Sequence, residues 1–164
     1  MEHLKKEEIG EFWETFSLVL TEDFPRYGKN VIRYLLEKIY TKTNFYYWLI
    51  NNLKTVLAAK SQNEIIGFAV IDEPYGGVSL CRWLGVKKEF RHQGIGSRLI
   101  NSWIKLAQSQ GCHKIEIASQ PEAKGFYEKI GLKLEGERKL SYFGVDQFIF
   151  GKIIGSPNEK AMVK

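Results

Sequence analysis

The chain has 164 residues, 44% of them hydrophobic and 26% charged, with 24 basic against 19 acidic residues and a net charge of +5. That length suits one domain of ~100–200 residues, and the composition excludes wholesale disorder, collagen and a disulfide-dense miniprotein. The apolar runs at 45–50 and 65–71 end at Asn51 and Asp72, well short of the ~18–20 residues that a membrane span requires.

The first eight residues are mostly charged and no apolar stretch follows them, so no secretory leader is read and a cytoplasmic location is expected. Cys81 and Cys112 match no metal-ligand spacing; they read as small buried side chains in a reducing compartment, and no metal is expected. Lys and Arg are scattered rather than banded, so neither a nucleic-acid nor a membrane partner is expected.

Leu4, Ile9, Phe12, Trp13, Phe16, Leu18 and Leu20 roughly follow a 3.6-residue period that stops short of Pro25, so the chain is read as entering a helix directly, with no leading strand. Asn30 is placed to cap a second helix through Ile32, Leu35, Leu36 and Ile39. The aromatic run Phe45, Tyr46, Tyr47 and Trp48 reads as a short helix. From Thr55 the pattern changes to strand: 55–59 and 65–71 are rich in β-branched and small apolar residues, and Ser61, Gln62 and Asn63 supply a hairpin turn. A turn at 74–77 leads to a strand at 78–86, and such short connections imply antiparallel neighbours.

Ile95, Leu99, Ile100, Trp103, Ile104 and Ala107 form one apolar stripe on a helix at 94–110, which Gly111 ends. A strand at 114–119 follows, making a right-handed parallel crossover. A short helix at 122–130 and strands at 133–139 and 146–154 complete an α+β reading, with the final strand exposed and able to pair across a homodimer. Residues 155–164 carry turn formers and mixed charge without a period and are expected to fray. A single domain is expected at 1–154.

The most informative stretch runs from Leu84, Gly85 and Val86 through a basic loop to Arg91, Gly94 and Gly96. A strand ends there and two glycines open an amphipathic helix. A helix start offers unpaired N–H groups and the positive end of the macrodipole, and glycines let that backbone approach a phosphate. Arg91 adds positive charge beside it, as Arg98 and Lys88 could. The dinucleotide fingerprint fails, because Leu99 stands where its third glycine belongs, and the Walker A Gly-Lys-Ser/Thr is absent. On these features alone an anion site and a plain turn stand level.

Context separates them. Arg91-x-x-Gly94-x-Gly96, between a strand and an amphipathic helix, resembles the acetyl-CoA signature Arg/Gln-x-x-Gly-x-Gly/Ala of the GNAT N-acetyltransferase superfamily. The segment with Gln120, Ala123, Phe126, Tyr127, Ile130, Gly131 and Leu132 resembles its second signature, Asn-x-x-Ala-x-x-Phe/Leu-Tyr with a hydrophobic-Gly-Phe ending. The resemblance covers about 65–154. It implies a GNAT-like fold: a mixed, mostly antiparallel sheet with a central splayed parallel strand pair, flanked by helices. Residues 1–53 would form a helical acceptor-side region and 54–154 the CoA-binding core.

Carried over residue by residue, the resemblance implies acetyl-CoA as cofactor. Leu84, Gly85 and Val86 would pair with its pantetheine amides as an added strand does. The N–H groups of Gln93, Gly94, Ile95, Gly96 and Ser97 would hold its pyrophosphate. Gln120 replaces the usual Asn, which contacts the cofactor arm, and its extra length puts that contact in doubt. Phe126 and Lys129 would lie near the cofactor's far end.

The implied reaction moves an acetyl group from a thioester to a primary amine. The oxyanion needs a donor, for which the Val86 N–H is the candidate, and the departing thiolate, of reference pKa ~8.5, gains from a nearby proton. Tyr127 matches the family tyrosine that supplies one; the alternative is that its ring merely packs. The base is open. The strand at 78–86 has no carboxylate, Glu116 either acts as base or forms a plain salt bridge, and Asp72, Glu73 or a water chain also qualify. A non-catalytic acyl-CoA sensor is therefore the competing reading. The acceptor is an amine-bearing small molecule or a protein or peptide. The aromatics among 13–48, with Glu11, Glu14, Glu22 and Asp23, either hold a cationic amine or pack as core with polar tips.

Overall fold

In the computed structural model, which describes residues 1–163, the chain opens with a two-residue strand, β1 (Glu2–His3). Glu2 pairs with Ala58 and His3 with Leu57, antiparallel. This corrects the expectation of a direct helical start. Two residues give no strand periodicity to read; the pairing exists because β2 (Lys54–Ser61) offers an edge. Lys60 of β2 reinforces it, reaching Glu2 at 2.9 Å and Glu8 at 2.5 Å.

A 3-10 turn at Lys6–Glu8 leads into α1 (Ile9–Asp23), which buries Ile9, Phe12, Phe16, Val19 and Leu20. Helix α2 (Lys29–Tyr34) is capped by Gly28 without a side-chain bond, so Asn30 lies inside the helix rather than capping it; its Oδ1 instead accepts from Arg33 at 3.3 Å. A π-helical turn (Leu35–Ile39) follows, closed by the Tyr40 N–H on the Leu35 carbonyl at 2.6 Å. The aromatic run forms α3 (Lys42–Ile50), with the Thr41 hydroxyl accepting the Asn44 N–H as the N-cap.

Strands β2 and β3 (Glu64–Asp72) flank Gln62 and Asn63, both at positive φ (48° and 66°), the requirement of a two-residue type I′ hairpin. Strand β4 (Val78–Val86) is followed by a 3-10 turn (Lys88–Phe90) and α4 (Ile95–Ser109). Then come β5 (Lys114–Ser119), a 3-10 turn (Pro121–Ala123), α5 (Lys124–Lys129), β6 (Lys133–Arg138) and β7 (Gln147–Ile153).

The seven strands run β1-β2-β3-β4-β5-β7-β6. β4 and β5 are parallel, Val78 opposite Lys114 through Cys81 opposite Ile117, the first four residues of β4. β7 is antiparallel to both β5 and β6. The expected mixed, mostly antiparallel sheet with a parallel pair and flanking helices is what forms. The exposed final strand is corrected: β7 is interior, and the edge falls to β6, whose residues are all exposed and whose ladder shifts between Leu134 and Gly136. The expected frayed tail also holds a short helix, α6 (Glu159–Met162). A Cβ at Gly111 would lie 2.6 Å from the Ala161 Cβ, so that helix rests on the chain there. Lys164, also placed in that tail, lies outside the described residues.

Two compact units divide the chain. One comprises residues 1–71 and 83–102, the other residues 72–82 with 103 onward. In the first, the rings of Phe12, Phe16, Phe45 and Phe68 pack edge-to-face or tilted, with centroids 4.8–5.8 Å apart. In the second, Trp103 is fully buried and its indole N–H donates to Ser79 Oγ at 2.9 Å.

Candidate active site

Within the first unit, the end of β4 and the start of α4 form one continuous construction. The Lys87 N–H donates to the Ile66 carbonyl at 2.9 Å. Peptide groups alternate in direction along a strand, so the N–H and C=O of Val86 and Leu84 point away from β3. Gly85 lies between them and is required there: a Cβ would sit 2.5 Å from Val19 Cγ1 of α1 and 3.1 Å from the Phe68 ring. Helix α1 thus presses on the strand where Leu84, Gly85 and Val86 were expected to meet a ligand.

Gly94 precedes the helix at φ +75°, with nothing within 4 Å of where its Cβ would be. Its carbonyl accepts the Arg98 N–H at 3.0 Å, the first intrahelical bond, so the N–H groups of Ile95, Gly96 and Ser97 lie in the turn that has no internal acceptor. Gln93 is exposed, and Ile95 turns its side chain into the core at 4% exposure. These positions follow one another at the open start of α4.

Arg91 does something else. Its Nε donates to the Val86 carbonyl at 3.0 Å, and its Nη2 pairs with the carboxylate of Asp23, the last residue of α1. The guanidinium expected to add charge beside a phosphate thus also carries an ion pair to α1. Asp23 is the residue that sequence reading missed in this role. A signal existed: acids disfavour a helix C-terminus, and the last turn of α1 carries Glu22 and Asp23 with no basic residue.

In the second unit, Tyr127 of α5 is buried at 5% exposure, its ring 5.5 Å from Phe150 and 5.1 Å from Phe126. Burial pushes its phenol well above the ordinary tyrosine value, with the charge of a Cys81 thiolate a smaller cause in the same direction. Gln120 is buried at 7%, and neither its Oε1 nor its Nε2 has a hydrogen-bond partner. Two unsatisfied polar atoms in one buried side chain are costly without a ligand to meet them. Phe126 is half-buried and Lys129 exposed.

Two of the candidate bases, Glu116 and Asp72, are ion-paired. Glu116 pairs with Lys114 at 2.8 Å, and Lys114 also reaches Glu135 at 2.6 Å; both bonds hold the Lys114 ammonium above its ordinary value. Asp72 takes the Nε of Arg82 at 3.0 Å. On the helical side, Glu11 accepts the Ile65 N–H at 2.7 Å and Glu14 pairs with Lys42 at 2.9 Å. Phe12, Phe16, Tyr27, Tyr40 and Phe45 are buried as core, while Tyr34, Tyr46 and Tyr47 stay exposed. Among the described residues no cluster of three or more His, Cys, Asp or Glu could hold a metal, and no helix is long and apolar enough to cross a membrane.

Residues 13–132 match the acetyltransferase (GNAT) family, and the chain belongs to that family. Over 68 residues it is 34% identical to a glucosamine 6-phosphate N-acetyltransferase of Candida albicans, covering 42% of this chain and 46% of that one. It is 30% identical over 53 residues to a protein of Oryza sativa subsp. japonica named for the same activity, 32% of each chain. The chain thus spans less than half the length of these curated relatives. Among solved structures, PaiA N-acetyltransferase of Thermoplasma acidophilum, crystallised with coenzyme A, aligns with a TM-score of 0.76 at 21% identity over 93% of this chain and 99% of that one, a likeness of fold.

Proposed function

We propose that this chain is an acetyl-CoA-dependent N-acetyltransferase acting on a primary amine carried by a small molecule. The observation that carries the reading is the start of α4, where Gly94 at φ +75° leaves open space ahead of a helix turn with unpartnered N–H groups. Acetyl-CoA supplies the acetyl group as an activated thioester. The residues present fit it: the buried amide of Gln120 has no internal partner, so a ligand amide gives it one. The N–H groups of Gln93, Gly94, Ile95, Gly96 and Ser97 hold the diphosphate, and the outward peptide edges of Leu84 and Val86 accept the arm in the manner of an added strand. Phe126 and Lys129 line its far end.

The Val86 N–H stabilises the carbonyl oxygen as negative charge develops on it. Tyr127, kept neutral by burial, donates its proton to the leaving sulfur. Glu116, already bound to Lys114, is a poor base, so the incoming amine loses its proton to water. The relatives' names make an amino-sugar phosphate the first acceptor to try. The test incubates the protein with acetyl-CoA and a panel containing glucosamine 6-phosphate, a polyamine and a peptide, and measures free thiol. Turnover with a small amine supports the reading; tight CoA binding without turnover on any amine favours an acyl-CoA sensor, a second reading motivated by the ion-paired carboxylates. A cytoplasmic location accompanies either.

A further inference from the structure

The Arg91 guanidinium is bound on one side by the Val86 carbonyl and on the other by the Asp23 carboxylate. Asp23 ends α1, Val86 ends β4, and Arg91 opens the loop that leads to α4. We propose that Asp23 is a positioning residue for the reaction, acting through Arg91 on the Val86 peptide. This rests on the acetyltransferase reading above, in which the Val86 N–H faces the reacting carbonyl.

An arginine free of a partner keeps its rotamer freedom, whereas one held by a carboxylate presents its Nε–H in a fixed direction. Asp23 is 20% and Arg91 33% exposed at the side chain, so the pair is shielded more than a surface ion pair and can hold a geometry. The peptide at Val86 receives that bond on its carbonyl, and the carbonyl and N–H of one residue point the same way along a strand. Fixing one fixes the other. Helix α1 also abuts the preceding residue, since Gly85 has no room for a Cβ beside Val19. The same helix therefore sets the strand end twice, by contact at Gly85 and by charge at Val86. Displacing a catalytic donor by a fraction of an ångström costs far more rate than cofactor affinity, because the diphosphate and the rest of the arm are gripped elsewhere than at Val86.

The experiment compares Asp23→Asn, Asp23→Glu and Arg91→Lys with the unaltered chain in three readouts: kcat, the CoA dissociation constant by calorimetry, and the Lys87 amide resonance. The Lys87 nitrogen shares a peptide bond with the Val86 carbonyl and reports its hydrogen bonding. Asp23→Asn and Arg91→Lys are expected to lower kcat by roughly 10- to 100-fold. The CoA constant should stay within about threefold, well under the tenfold that 1.4 kcal/mol represents. The Lys87 amide should shift, and Asp23→Glu should restore both kcat and resonance. Unchanged kcat and resonance in Asp23→Asn overturn the proposal, and so does CoA affinity falling in step with kcat, which would make Arg91 a phosphate ligand. If the unaltered chain binds CoA but acetylates nothing, the enzymatic reading fails separately, and the proposed positioning role falls with it.

Discussion

Tyr127 and Gln120 differ in what burial does to them. Burial raises the Tyr127 phenol above its ordinary value of about 10, so it stays protonated where an exposed tyrosine ionises. A group with a raised pKa keeps its proton-donating form below that pKa. The rate should therefore show no loss assignable to Tyr127 up to about pH 10, as a kcat–pH profile would report. Tyr127→Phe should lower kcat by roughly 10²-fold, the low end for losing a general acid, and leave CoA affinity unchanged. Gln120 has no internal partner to lose. Gln120→Leu removes two unsatisfied buried polar atoms, so it should raise the thermal midpoint of the ligand-free chain by about 2–4 °C per kcal/mol recovered, while weakening CoA binding about tenfold or more, as for one lost buried hydrogen bond. Thr15→Val gives the contrast: Thr15 Oγ1 donates to the Ile65 carbonyl at 3.0 Å in the core, and its loss should cost about 1 kcal/mol.

Between elements, the start of the chain is held by ionic contacts as well as by its short ladder. Lys60 bonds Glu8 and Glu2, and these bonds hold both carboxyls below the ordinary carboxylate range. A depressed folded pKa contributes stability at neutral pH that is lost as pH falls through the carboxylate range. Lys60→Met should flatten the acid limb of the stability curve, with hydrogen exchange at Leu4, whose N–H bonds the Val56 carbonyl at 2.9 Å, as the local probe. At the other functional element, Gly94→Val places a β-branched residue at φ +75°, which such side chains avoid. CoA binding measured by calorimetry should fall to background while the fold persists.

For the molecule as a whole, β4 and α4 pass from one compact unit into the other, at Arg82–Trp83 and Ser102–Trp103, and β3 does so at its last residue, Asp72. The sequences of β4 and α4 were the easiest to read: the apolar stripe of α4 and the alternating burial of β4 are periodic over 15 and 9 residues. Hairpin chemistry at Gln62 and Asn63, the order of the strands up to β5 and the glycines opening α4 were legible for the same reason, because each depends on residues close together along the chain. The family signatures are local too, which is why they could be matched before any coordinates. What the sequence could not determine was every feature made by distant partners. β1 exists because β2 has an edge 50-odd positions later, β7 enters between β5 and β6 rather than ending the sheet, and Asn30 yields its capping role to Gly28. Arg91 meets Asp23 across 68 positions, and Glu116 is committed to Lys114 and Glu135. A side chain's charge and shape are written in the sequence, but which opposite charge it meets depends on where folding brings the chain back on itself, and only the tertiary structure decides that.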